Sequence, residues 1–480
     1  MTVASSRPEK DRTNTSGNPL NSTPCVFQKR IFSMLASDSK SPDTPCPDTS
    51  SLRRAITAPM LMLFILGDVL GAGVYALAGT IAGRVGGAIW APLLIALCFA
   101  LLTAASYAEL VTKYPRAGGA AVYAEKAFGK PLLSFLVGFS MVAAGVTSAA
   151  GLAVAFAGDY LQALVDWPAQ WVCVGFLVIV GLLNARGIKE SLSANLLMTV
   201  IELSGLLMVI AAAVWFVSQG HGEPQRVFEL DTAAPATAIL GASLLAFYSF
   251  VGFETSANLA EEIKDVRRVY PRALFGALLI AGAVYMLVGV GAAMVLPVEQ
   301  LKGSQAPLLD VVSASGLGIP APWFAVIALI AVANGALLTM IMASRLTYGM
   351  AREGLLPTAL GSVLPRRQTP GIAILGTTLV AIALSFTSTL TILAETVVLL
   401  LLFVFLSVNV AVLVLKRDKV EAGHFQVHWV IPVLGILSCV LLLTQQGAQT
   451  WLRAGILLVV GTVLYGLTRL GSSALASHPR

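Results

Sequence analysis

Charge is what this chain has least of. Of its 480 residues only 12% are Asp, Glu, Lys or Arg, while 57% are hydrophobic. Soluble domains carry roughly 25% charged residues, so an ordinary soluble protein is excluded. Histidine is scarcer still, with four scattered residues and no carboxylate or cysteine at ligand spacing around His424 or His428. A membrane enzyme that needs a metal, or a nucleophile with its base, has nothing to build on here. The five cysteines (Cys25, Cys46, Cys98, Cys173 and Cys439) have no metal spacing and suggest no disulfide framework. No filter repeat or ring-forming polar motif of a channel is present. Gly67, Gly71, Gly73 and Gly79 fall inside an apolar run rather than in a strand-to-helix phosphate loop, so no cofactor is expected.

What is present is apolar length. Runs of ~20 residues, enough to cross ~30 Å of hydrocarbon, recur between Ala55 and Leu470. Twelve spans are expected, near 55–83, 88–112, 131–160, 169–184, 191–218, 236–263, 271–296, 322–350, 371–388, 391–415, 429–444 and 450–468. The implied fold class is an all-α integral membrane protein with about twelve transmembrane helices. The formal charge of +6 is distributed by side. With the N-terminus inside, the inner segments hold most of the Lys and Arg between spans, including Lys113, Arg116, Arg186, Lys189, Lys264, Arg267, Arg268, Arg366, Arg367, Lys416 and Arg417. Outer segments hold four: Arg84, Arg226, Lys302 and Arg453. This is the positive-inside asymmetry, and twelve spans return the C-terminus to the cytoplasmic side. The basic excess therefore reads as topology in a lipid bilayer, not as nucleic-acid binding. Residues 1–50, rich in Ser, Thr, Pro and Asp as in "SDSKSPDTPCPDTS", read as a disordered cytoplasmic tail.

Two spans are interrupted. The first contains "FILGDVLGAGVYALAG", with Gly67, Gly71, Gly73 and Gly79 around the carboxylate Asp68. Gly67-x-x-x-Gly71 is also a small-residue packing motif. A carboxylate near the bilayer centre, however, costs at least ~2.5 kcal/mol and marks a functional site by default. Five spans later, "LLAFYSFVGFETSANLAEEIKD" places Gly252 and Glu254 in the middle of a second apolar run. Matching defects five spans apart suggest two inverted five-helix repeats, with helices 1–5 at about 55–218 and helices 6–10 at about 236–415. Together they form a transporter core over 51–416; helices 11 and 12 and a short cytoplasmic C-terminus occupy 417–480. Transporters of this design bind substrate at the midplane, where half-helix N-termini offer amides to a carboxylate and freed carbonyls take an ammonium. Glycine lets the backbone unwind and approach the ligand.

Several stretches resemble the amino acid–polyamine–organocation (APC) superfamily of secondary transporters. "GDVLGAGVYALAG" resembles its first-helix break and "FYSFVGFETSANLAEEIKDVRRVYPRAL" its sixth helix and following loop. "SYAELVTKYPRAGGAAVYAEKAFG", "NARGIKES" and "ASRLTYGMAREGLLP" follow in family order and spacing between residues 55 and 365. "LGAGVY" and "FVGFE" are similar to bacterial amino-acid permeases and cationic amino-acid transporters. The resemblance implies a leucine-transporter-like fold with broken helices 1 and 6 and alternating access. It places a substrate carboxylate at the amides of Gly71, Ala72 and Gly73, with Asp68 at a substrate-contacting position. The ammonium would meet carbonyls of Tyr248, Ser249 and Val251, with Tyr248 as an aromatic gate. Glu254 matches an acidic position tied to substrate or proton sensing, and Asn334 and Thr339 become side-chain contacts.

The chain departs from several proton-coupled relatives at Glu202 in "NLLMTVIELSGLL", where they carry lysine. A glutamate cannot supply that cation, but a buried one can hold a proton. Glu202 is therefore expected to handle the coupling proton, against the simpler reading of a structural hydrogen bond. Glu109 reads as a gate or packing residue and Glu395 as interfacial. The expected activity is permease transport of a small-molecule substrate, an amino acid, across the cell membrane with protons as coupling ion. Uptake or exchange of a polyamine or other cationic amine is the alternative.

Overall fold

In the computed structural model the described residues are 56–476, except 117, 187, 231–234, 305, 365–366, 368, 419 and 421–422. The tail expected at 1–50 and Arg366 lie outside the described residues. Where the first span was expected stand two helices, α1 (Ala58–Leu70) and α2 (Ala72–Val85), bent by 41°. Then come α3 (Trp90–Lys113), the short α4 (Gly119–Phe128), α5 (Pro131–Phe156), α6 (Ala169–Arg186) and α7 (Ile188–Ser218). The sixth span opens as α8 (Pro235–Tyr248) and resumes, after a four-residue break, as a 3-10 helix over Phe253–Glu262. The rest are α9 (Val266–Val295), α10 (Ala321–Arg352), α11 (Gly371–Ser385), α12 (Leu390–Leu415), α13 (Val430–Leu443) and α14 (Ala448–Ala476). Among the described residues no strand forms, and a lone backbone bridge joins Ile56 to Ile263.

Nine helical stretches among the described residues are long and apolar enough to cross a bilayer, and the bent pair makes a tenth. The shorter apolar helices α11 and α13, of 15 and 14 residues, occupy the two remaining expected positions. The chain is an all-α integral membrane protein. Its outward surface fits this: Leu182, Leu197, Leu279, Leu375, Leu437 and Val459 point away from the core. Exposed Trp171, Trp323, Trp429 and Trp451 sit at span ends, where amphipathic rings favour the interface.

The core gathers around the two breaks. α9 packs against α3, α1 and α7; α10 packs against α5 and α7; α8 packs on α3 and α2; and α12 lies along α5. The inner half of the sixth span takes 3-10 rather than α geometry, for a local reason. Thr255 N–H bonds the Gly252 carbonyl at 3.0 Å, an i to i+3 contact. The Thr255 and Ser256 hydroxyls reach the carbonyls of Gly252 and Phe253, at 2.8 and 2.6 Å. Such side-chain bonds compete with the α ladder.

Candidate functional site

The two breaks touch. Gly252 has φ 124°, a backbone region that favours glycine, and a Cβ there would lie 2.7 Å from the Asp68 carbonyl oxygen. At Gly73 a Cβ would come within 2.7 Å of Ser249 Cα, so the opening turn of α2 lies directly on the second break. The Thr255 hydroxyl donates to Asp68 Oδ2 and ties the breaks on a third contact. Gly67 proves a packing position, its α-carbon facing Thr199 of α7 too closely for any Cβ. The small-residue and break readings of this segment therefore both hold, at different glycines.

The α-helical ladder stops at both breaks, and the backbone groups there find other partners. After Tyr248 the chain tightens into i to i+3 bonds, with Ser249, Phe250 and Val251 N–H donating to Ala246, Phe247 and Tyr248 at 3.0–3.1 Å. The Gly252 N–H donates to Glu254 Oε2 at 2.9 Å, so Glu254 caps the inner half-helix. The carbonyls of Val69, Leu70 and Ser249 accept from the hydroxyl of Tyr285 on α9.

A small cavity opens at this junction. Asp68, Gly71 and Gly73 line one side, and Tyr248, Val251, Gly252, Glu254 and Thr255 another. The remaining wall comes from Ser148 and Leu152 of α5, Gly335, Thr339 and Met342 of α10, and Val397 and Leu401 of α12. Tyr248 and Ser148 hydroxyls are hydrogen-bonded at 3.1 Å. Of the polar atoms here, Asp68 Oδ1 is buried without a hydrogen-bond partner among the described residues.

The sequence-derived site residues divide into two places. Asp68, Gly71, Gly73, Tyr248, Val251, Glu254 and Thr339 line the cavity. Ala72 contributes the first backbone position of α2. Ser249 is buried behind Gly73 with its Oγ unpartnered among the described residues. Glu202 and Asn334 stand together outside the cavity wall, each with 0% exposure, both side chains facing one another without a hydrogen bond of good geometry. The Glu202 carbonyl accepts from Tyr75 of α2 at 2.8 Å, which hangs this pair on the outer half of the broken span.

Sequence reasoning missed Thr255, Ser148 and Tyr285, and left the register of α5 unplaced. Two of these left a trace in the sequence. Thr255 adjoins Glu254, and Tyr285 is a polar-tipped ring alone in an apolar run, which when buried usually finds a partner. Glu395, expected at the interface, pairs with Arg84 at 2.7 Å, joining the outer ends of α2 and α12.

Residues 58–462 match the family model described as amino acid permease. The chain is 30% identical over 422 residues to an uncharacterized transporter of Mycobacterium tuberculosis, covering 87% of this chain and 92% of that one. It is 26% identical over 440 residues to the branched-chain amino acid permease BcaP of Bacillus subtilis, covering 87% and 93%. To the low-affinity putrescine importer PlaP of Escherichia coli it is 29% identical over 354 residues, covering 72% and 77%.

Proposed function

The chain belongs to the amino acid permease family, and from that premise we propose that it takes up a neutral, aliphatic amino acid through the cavity between its two helix breaks, driven by protons. The carrying observation is the cavity itself, which is lined by residues of both breaks and by aliphatic side chains of the neighbouring helices. An amino acid has the complementary shape. Its carboxylate suits the amides that open α2 at Gly71–Gly73, where the helix dipole also favours an anion. Its ammonium suits the edge of the first break at Val69 and the unpartnered Oδ1 of Asp68, both on the cavity wall. Its side chain would rest against Leu152, Met342, Val397 and Leu401.

The arrangement of charge favours one ammonium over two. Glu254 Oε2 accepts from the Gly252 amide and Asp68 Oδ2 from Thr255, while Asp68 Oδ1 has no hydrogen-bond partner among the described residues. The second reading, a cationic amine, rests on that same oxygen and on the name of the putrescine-importing relative. It leaves the amides at Gly71–Gly73 without a carboxylate to bind.

Glu202 is proposed as the proton carrier. It is fully buried, and neither of its carboxylate oxygens has a hydrogen-bond partner among the described residues. A charge there is costly, and protonation relieves it. Movement between inward- and outward-open forms would follow the inverted-repeat design, with termini in the cytoplasm of a cell-membrane protein. The test is uptake of radiolabelled leucine, arginine, lysine and putrescine into proteoliposomes, with and without an inward proton gradient. Gradient-stimulated leucine uptake is expected. Putrescine uptake without leucine uptake overturns the substrate class, and leucine uptake indifferent to the gradient overturns the coupling.

A further inference from the structure

One side chain reaches both breaks from a third helix. Tyr285, on α9 and fully buried, sets its hydroxyl 2.6 Å from the carbonyl of Val69, 2.9 Å from that of Leu70 and 3.2 Å from that of Ser249. Val69 and Leu70 are the last residues of α1, and Ser249 is the first after α8. These carbonyls stand where each helical ladder stops, and at this depth an unpaired one costs several kcal/mol. The ring packs edge-on against Phe250, with centroids 5.4 Å apart at 66°.

Stoichiometry makes this more than capping. One hydroxyl has one proton to donate, whereas three carbonyls offer six lone pairs. Tyr285 therefore aligns three oxygens from two helices and leaves most of their accepting capacity open. The other ties between the breaks differ in kind. Gly73 on Ser249 and Gly252 on Asp68 are steric contacts, and Thr255 to Asp68 joins a side chain rather than the carbonyl edge.

We propose that Tyr285 is a positioning residue: its hydroxyl holds the carbonyl edges of the two breaks in register, so that a substrate ammonium meets them already converged. The proposal rests on reading the cavity as the substrate site. Preorganisation of this kind lowers the ordering cost of binding, so its loss falls on substrate affinity rather than on turnover. A tyrosine that merely fills space would be replaced by phenylalanine without effect.

The experiment uses the full chain carrying Tyr285→Phe, with Phe250→Leu as the packing control. Amide hydrogen exchange in detergent, without substrate, is read over 66–76 and 246–256, with 97–110 on α3 as reference. Faster exchange in both break segments is expected for Tyr285→Phe, by about fivefold or more, with the α3 reference unchanged. In proteoliposomes its leucine KM is expected to rise roughly tenfold, as for loss of one well-placed hydrogen bond, with the maximal rate per folded transporter within about twofold. Unchanged exchange, or a change in one break alone, overturns the proposal. An equal KM rise in Phe250→Leu assigns the effect to packing and overturns it too, as does a Tyr285→Phe chain that cannot fold. If the unaltered protein takes up no leucine, the substrate reading falls, while hydrogen exchange still decides the role of Tyr285.

Discussion

Glu109 and Glu202 are both carboxylates buried within spans, and their surroundings are opposite. Glu109, near the inner end of α3, accepts from Lys416 Nζ at 3.1 and 3.0 Å and from the Val427 amide at 2.9 Å. The same Lys416 donates to the Val427 carbonyl at 2.6 Å, Lys113 reaches the carbonyls of Leu415 and Asp418 at 2.6 Å, and the Phe425 amide reaches Thr112 at 3.1 Å. This is a clasp in which a buried charge has a counter-charge and further hydrogen bonds. At the midplane, Glu202 has neither, and Asn334, Ser249 Oγ and Asp68 Oδ1 share the condition among the described residues. Buried polar atoms normally find partners. A place where several do not is a place where the resting structure is incomplete, and where a ligand or a proton can be bound by something other than the fold. The clasp satisfies its buried charge within the fold; the region around Glu202 leaves its polar atoms open.

The largest effects are expected between the two breaks. Gly73→Val places Cβ bulk against Ser249, and uptake is expected to fall below detection while the protein still inserts in the membrane. Counted transport against surface-exposed protein checks this; normal uptake by Gly73→Val would remove the break from the mechanism. Glu202→Gln comes next. Stimulation of leucine uptake by an imposed pH gradient is expected to disappear, with leucine binding retained, and counterflow measured beside gradient-driven uptake separates the two.

Effects at the clasp should be of another kind. Glu109→Gln removes the buried charge and leaves Lys416, about a quarter exposed, free to reach water. A stability loss of roughly 1–3 kcal/mol is expected, seen as a lower melting temperature, with leucine KM unchanged. The smallest effect lies at the clasp's rim. Tyr114 donates to the Asp418 carboxylate, and with Lys113 and Lys126 near by this holds Asp418 below the usual carboxylate range. A carboxyl depressed on folding stabilises above its unfolded value, about 3.9, and that stability is lost as pH falls through the folded value. Tyr114→Phe should therefore lower the melting temperature slightly at pH 7, and the difference should shrink as pH falls below about 4.

Much of this contrast could be read in one dimension, and part of it could not. Apolar runs placed the spans because the bilayer sets their length, and the glycines with Asp68 and Glu254 located the breaks because lipid tolerates such residues only at special places. Partnership is different, since it is made by residues far apart in sequence. Glu109 and its partner Lys416 lie 307 positions apart, Tyr285 and Val69 216 apart, and Thr255 and Asp68 187 apart. Nothing local distinguishes a carboxylate that will be clasped from one that will be left open, so Glu109 and Glu202 look alike until the helices pack. The short helices Val298–Gly303 and Pro307–Ala314 on the outer connection, too polar or brief for the span pattern, also emerged only in the fold.

The most direct measurement is equilibrium binding of radiolabelled leucine to three purified proteins side by side: the unaltered chain, Gly73→Val and Glu109→Gln. Saturable binding by the first and third with similar affinity is expected, and none by Gly73→Val. Binding that survives Gly73→Val but is lost in Glu109→Gln would place the substrate at the clasp and contradict it.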